Sequence, residues 1–122
     1  MKTRIVRKFS FDAAHQLHTM PEGHKCRRMH GHTYLCEVVC EGEVDPAVGY
    51  FIDYGDLKKI LDPVIEELDH RYLNDIPGLE VPTAEMIAKW LYDRLKPQLL
   101  SLTCLRLWET PQNGVEYRPT DG

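Results

Sequence analysis

The stretch His30-Gly31-His32-Thr33-Tyr34-Leu35-Cys36-Glu37-Val38-Val39-Cys40-Glu41 decides the fold, because it alternates like a β-strand from end to end. One parity carries His30, His32, Tyr34, Cys36, Val38 and Cys40, and the other carries Gly31, Thr33, Leu35, Glu37, Val39 and Glu41. Both histidines therefore project to one side of the strand. Upstream, Ile5, Phe9 and Phe11 share a parity, with Arg4, Lys8 and Ser10 on the other. That pattern predicts a half-buried first strand whose continuation carries His15.

Downstream, Leu57, Ile60, Leu61, Val64, Ile65 and Leu68 recur at helical spacing, which predicts a helix over about residues 55–68. Pro63 is a misfit inside it, since it removes a backbone donor. A second helix is expected after Thr83, a suitable N-cap, carrying Met86, Ile87, Trp90, Leu91 and Leu95 inward until Pro97 stops it. A third strand, Leu102 to Glu109, and a fourth, Val115 to Arg118, flank Pro111-Gln112-Asn113-Gly114, and Asn-Gly is a strong hairpin turn signal. The order strand, strand, helix, helix, strand, strand predicts an α+β fold: a four-stranded antiparallel sheet with both helices on one face. Apolar residues on both parities of the second and third strands predict that the other face is covered by oligomerisation, with sheets closing against one another.

A chain of 122 residues fits one domain, expected over residues 1–119 with a short tail at 120–122. The net charge of -4 and the lack of a long Lys/Arg run argue against nucleic acid as the main partner, with Lys25, Arg27 and Arg28 a local exception. No apolar run approaches the roughly 20 residues that span a bilayer, and Met1-Lys2-Thr3-Arg4 leads into strand alternation rather than a signal segment. The expected location is the cytoplasm, away from membranes, with Cys26, Cys36, Cys40 and Cys104 as free thiols.

His30 and His32, at i and i+2 on a strand, put two imidazoles on one side, and Gly31 between them leaves room for close approach. A neighbouring His15 would add a third nitrogen and leave one position of a zinc ion open, as catalytic sites require. Cys26 has three readings: a fourth ligand closing a structural site, a thiolate base favoured by the surrounding cations, or an inert loop cysteine. Asp69-His70 is either an orienting pair for proton transfer or a helix-terminal cap. Glu109, at a strand end, can accept two hydrogen bonds from an N–C–N edge or simply be solvated.

Phe11-Asp12-Ala13-Ala14-His15, Cys26-x-x-x-His30-Gly31-His32-Thr33-Tyr34, Leu68-Asp69-His70 and Trp108-Glu109-Thr110 together resemble the 6-pyruvoyl-tetrahydropterin synthase family. Pro21-Glu22-Gly23-His24-Lys25-Cys26, Gly42-Glu43-Val44-Asp45-Pro46 and Leu73-Asn74-Asp75-Ile76-Pro77-Gly78-Leu79-Glu80 are most similar to its bacterial 6-carboxy-tetrahydropterin synthases of the queuosine pathway. The resemblance implies a tunnelling fold, with sheets joined into a barrel and subunits assembled as a hexamer from two trimers. It implies zinc on His15, His30 and His32, a catalytic thiol at Cys26, Asp69-His70 supplied by a neighbouring subunit, and Glu109 holding the pterin, with Thr83 lining the pocket. The implied reaction converts 7,8-dihydroneopterin triphosphate to 6-carboxy-5,6,7,8-tetrahydropterin, releasing acetaldehyde and triphosphate. Trp108 and Gln112-Asn113-Gly114 depart from the family pattern and imply a different pocket rim. Three other readings stay open: a 6-pyruvoyl product that keeps the three-carbon chain, a zinc-stabilised binding module without turnover, which would unfold when its metal is removed, and a pterin-binding enzyme without this lyase activity.

Overall fold

Two long strands, β1 (Lys2–His15) and β2 (His30–Glu43), form the backbone of the computed structural model, which describes residues 1–119. The expected tail at 120–122 lies outside the described residues. β1 and β2 pair antiparallel in unbroken register from Lys2↔Glu43 to His15↔His30. Equal parity across that ladder puts Phe11, Ala13 and His15 on the same face as Tyr34, His32 and His30. β4 (Leu102–Trp108) adds to β2, with a register shift at Val39 and Cys40, and β5 (Gly114–Tyr117) adds to β4.

The sheet has five strands, in the order β3-β1-β2-β4-β5, which corrects the expectation of four. The extra strand, β3 (Arg71–Tyr72), pairs parallel with β1 at Ala13 and Ala14, so the sheet is not purely antiparallel. Two residues carry no readable alternation, and this pairing is made by docking after the first helix, not by local sequence preference.

Helix α1 (Tyr54–Glu66) starts at Asp53, whose side chain accepts a hydrogen bond from the Asp56 N–H at 3.0 Å. It runs through Pro63 unbroken, because the proline lies in the last turn and removes a single helical hydrogen bond. Helix α2 (Ala84–Leu95) is capped by Thr83, as expected. Leu57, Leu61, Ile87, Leu91 and Leu95 join Phe11, Tyr34, Cys36, Leu105 and Leu107 in one core, so both helices cover the same sheet face. Full burial of each Leu or Ile is worth about 1.5–3 kcal/mol. Met86, expected to point inward, is instead exposed, since Ile87 and Ala88 take the buried positions beside it.

The other sheet face mixes charged residues with the expected apolar ones, of which Val39 and Cys104 are buried. Arg4 pairs with Glu41 at 3.4 Å, Lys8 with Glu37 at 3.8 Å and Arg106 with Glu116 at 2.8 Å, which gives a cross-strand charge ladder with Val6 and Leu35 exposed among it. Trp108 lies on this face, donating from Nε1 to Glu37 at 3.3 Å, and its ring covers its strand partner Gly114, where a Cβ would come within 2.5 Å of it. The Trp108 ring thus lies on the charged face, and Gly114 beneath it is one of the residues lining the pocket with Glu109.

Candidate functional site

At the end of the β1–β2 ladder that the loop 16–29 connects, the three histidines converge. His15 is buried and donates from Nδ1 to the Pro82 carbonyl at 2.8 Å, while His30 donates from Nδ1 to the Arg28 carbonyl at 2.7 Å. A carbonyl only accepts, so each Nδ1 holds the ring proton and each Nε2 presents a lone pair. Those two Nε2 atoms are 3.0 Å apart. Facing lone pairs repel, whereas two nitrogens on one tetrahedral zinc sit about 3.3 Å apart, so a shared cation resolves the conflict. His32 Nε2 is buried without a hydrogen-bond partner, and Glu109 Oε1 approaches it to 3.4 Å outside hydrogen-bond geometry.

Burial lowers the pKa of His15 and of His32, and neighbouring imidazoles act in the same direction. Both effects favour the neutral ring that ligates metals. The ligand atoms of His15, His30 and His32 all lie within 4.8 Å of one another, so the donor set fits a zinc ion. Tyr34, fully buried, stacks on Phe11 and sets its ring edge-on to His15 and His32, which braces both imidazoles from the core side.

Cys26 stands in a single 3-10 turn, Lys25–Arg27, held by its own N–H to His24 Nδ1 at 3.0 Å and by Leu17 N–H to the Cys26 carbonyl at 2.9 Å. It is half-buried, unlike Cys36, Cys40 and Cys104, and it is not one of the three mutually close ligand groups. Arg27 donates to the carbonyls of His18 and Met20 at 2.7 and 2.9 Å, so it staples the loop. Glu109 and Thr83 line one pocket of about 240 Å³ together with Leu17, Ala84 and Asn113. The Thr83 hydroxyl oxygen already accepts from Met86 N–H at 3.2 Å.

Asp69 and His70 form a separate cluster. Asp69 Oδ2 is 3.0 Å from His70 Nδ1, and Asp69 Oδ1 accepts from Asp12 N–H at 2.9 Å. The Asp12 hydrogen bond first, and the His70 contact next, hold the Asp69 carboxyl below its usual range. His70 has a left-handed backbone (φ 58°), pinned by its N–H donating to the Asp12 carbonyl at 2.6 Å. The Asp12 side chain accepts from the Thr33 hydroxyl at 2.5 Å. Asp12 and Thr33 have the parity opposite to Ala13 and His32, so this cluster belongs to the charged sheet face. A groove of about 550 Å³ bordered by Asp12, Thr33, His70 and Arg71 runs past Gly31 and His32. A Cβ at Gly31 would meet only ordinary contact, 3.5 Å from the Ala13 carbonyl, so crowding within the chain does not demand the glycine.

The sequence profile of the 6-pyruvoyl tetrahydropterin synthase family matches residues 4–120. This chain belongs to that family. It is 44% identical over 119 residues to a 6-carboxy-5,6,7,8-tetrahydropterin synthase of Synechocystis sp., covering 93% of this chain and 91% of the relative. It is also 44% identical over 119 residues to a dihydroneopterin monophosphate aldolase of Pyrococcus furiosus, covering 95% and 97%. The 6-pyruvoyl tetrahydropterin synthase of Caenorhabditis elegans superposes with a TM-score of 0.91 at 32% identity, covering 98% of this chain and 97% of that one. The fold is therefore the tunnelling fold expected from the motifs, in a family of pterin-processing enzymes. Among the described residues no helix is long and apolar enough to cross a membrane. The partners of the site that sequence reading missed are mostly backbone atoms, Pro82 and Arg28 carbonyls above all, which carry no residue-type signal.

Proposed function

We propose that the protein converts 7,8-dihydroneopterin triphosphate, with one water, to 6-carboxy-5,6,7,8-tetrahydropterin, acetaldehyde and triphosphate, as a cytoplasmic, zinc-dependent lyase of queuosine biosynthesis. Reduction of the ring C=N bond is balanced by oxidation of side-chain carbons, so no external reductant is needed. The observation that carries this reading is the convergence of the His15 and His30 Nε2 atoms at 3.0 Å with both Nδ1 atoms held by carbonyls. His15, His30 and His32 would hold zinc, which supplies Lewis-acid polarisation of the substrate's side-chain oxygens. Cys26 removes a proton from the polarised side chain, and its absence from the three-histidine cluster favours this role over a closed structural site. Glu109 accepts from the amino-pyrimidinone edge of the pterin, and Thr83 lines the same pocket.

Asp69 orients His70 as the second acid–base group. The pair lies on the sheet face opposite the histidine cluster, which supports its service to the site of a neighbouring copy in a hexamer of two trimers. The test is incubation of zinc-loaded protein with dihydroneopterin triphosphate and identification of products by mass. A three-carbon side chain in the product would assign the 6-pyruvoyl reaction instead. A second reading, carbon–carbon cleavage of the dihydroneopterin monophosphate, is favoured by the equally identical Pyrococcus furiosus relative. Parallel incubation with the monophosphate separates the two, since the proposed enzyme leaves it intact.

A further inference from the structure

Gln16 directly follows His15, and its backbone and side chain join three segments that the chain order keeps apart. Asn74 clamps its backbone from both sides, accepting from Gln16 N–H at 2.9 Å and donating to the Gln16 carbonyl at 2.8 Å. Its side chain accepts from the Tyr72 hydroxyl at 2.5 Å and donates from Nε2 to the Arg27 carbonyl at 3.2 Å. The Arg27 carbonyl can only accept, which fixes the amide with its nitrogen toward the Cys26 turn and its oxygen toward Tyr72. Tyr72 stands two residues beyond His70 on β3, and Arg27 is next to Cys26. The turn that carries Cys26 has further ties to the segment just after β1, the Leu17 N–H to the Cys26 carbonyl and the Arg27 guanidinium to the carbonyls of His18 and Met20. A three-residue turn has little stability of its own, so these bonds together set where the thiol stands, and the Gln16 amide supplies the one that also reaches Tyr72.

We infer that Gln16 is a positioning residue that fixes the Cys26 thiol relative to His15 and to the segment carrying His70. The inference rests on the reading of Cys26 as an acid–base group, and it acts through placement: Gln16 touches neither metal ligand atoms nor substrate. Its amide has two separable arms, the donor toward Arg27 and the acceptor toward Tyr72, and only the donor arm bears on the thiol.

The test compares native zinc-loaded protein with Gln16→Leu, Gln16→Glu and Tyr72→Phe. Cys26 is the one cysteine that is not buried, so alkylation of the folded protein by iodoacetamide, followed by peptide mass analysis, reads its thiol alone. Gln16→Leu removes both arms, whereas Gln16→Glu keeps an acceptor for Tyr72 but sets a carboxylate against the Arg27 carbonyl. Both are expected to speed alkylation about five- to tenfold, the effect of losing one hydrogen bond from the turn. Turnover number is expected to fall about tenfold with KM within about twofold, the mark of a misplaced catalytic group rather than lost binding. Zinc content stays close to the native level, because Gln16 bonds to no histidine and to neither carbonyl that holds one, Pro82 for His15 and Arg28 for His30. Tyr72→Phe is expected to lower the melting temperature slightly and leave alkylation at the native rate. Native alkylation rates in both Gln16 variants, or equal acceleration in Tyr72→Phe, would overturn the inference. Alkylation needs no pterin turnover, so a native protein inactive on dihydroneopterin triphosphate would refute the proposed reaction and leave this test intact.

Discussion

The end of the β1–β2 ladder carries two groups of polar side chains that share the same strands and differ in almost everything else. His15, His30 and His32 face the helices, buried or half-buried, with two rings locked by backbone carbonyls. Asp12, Thr33, Asp69 and His70 face the charged side, where the His70 side chain is 76% exposed. Burial and carbonyl locks cost nothing further when a ligand arrives, so the first group is preorganised within one chain. The second is stapled at its backbone but open above its side chains, the state expected of groups whose working surroundings come from another copy.

The largest expected effect breaks the first group. His30→Ala or His32→Ala should weaken zinc binding more than about 100-fold, beyond what loss of an outer partner does, and metal analysis after dialysis reads it. Full occupancy in both variants would remove these residues from the metal. His70→Ala should instead leave zinc bound and lower turnover about 10²–10⁴-fold, as loss of a proton-transfer group does. If the two groups serve different copies, mixing Cys26→Ala with His70→Ala protein should restore part of the activity after subunit exchange, and proven exchange without recovery would confine each site to one chain.

Glu109→Gln sharpens the contrast further, since it swaps one acceptor for a donor facing a donor while leaving the three histidines intact. Pterin affinity, read by titration with product, should fall about ten- to hundredfold, equivalent to about 1–3 kcal/mol, with zinc content unchanged. The smallest effect is in pH. Folded His15 and His32 have pKa values below the ordinary 6.5, so below that value the unfolded chain binds protons that the folded chain refuses. Metal-free protein should therefore lose stability as pH falls through about 6.5, by a few degrees of melting temperature, and keep it above. A melting temperature that is flat between pH 8 and 5.5 would contradict the lowered values.

Strong periodicity made β1, β2, β4, α1 and α2 legible in sequence, and the i, i+2 rule placed His30 and His32 on one face without further help. Thr83 was legible as a cap because its chemistry is local. β3 was not, since a two-residue parallel pairing depends on where α1 docks the chain. The exposed Met86 was not legible either, because apolar residue type alone does not reveal which flank of a helix is covered, whereas the outward parity of Arg4, Lys8, Glu37 and Glu41 was. Gln16 is the extreme case: its side-chain partners lie 11 and 56 residues away, so no window around it contains them. The zinc reading gained from family motifs what composition cannot give, and the carbonyl locks on His15 and His30 supply the physical reason behind it.

β1 meets β3 only at Ala13 and Ala14, so from Lys2 to Asp12 its outer edge has no strand partner among the described residues. β5 likewise closes the other side of the sheet with a bare edge. An unpaired edge is a template for any extended chain, and Arg4, Arg7 and Lys8 along β1 make it a charged and therefore selective one. A lone chain leaves the backbone groups along such an edge to water, and another strand can take the water's place. If those edges pair with a second copy, thermal stability becomes a function of protein concentration, and dilution shifts the balance toward unfolding.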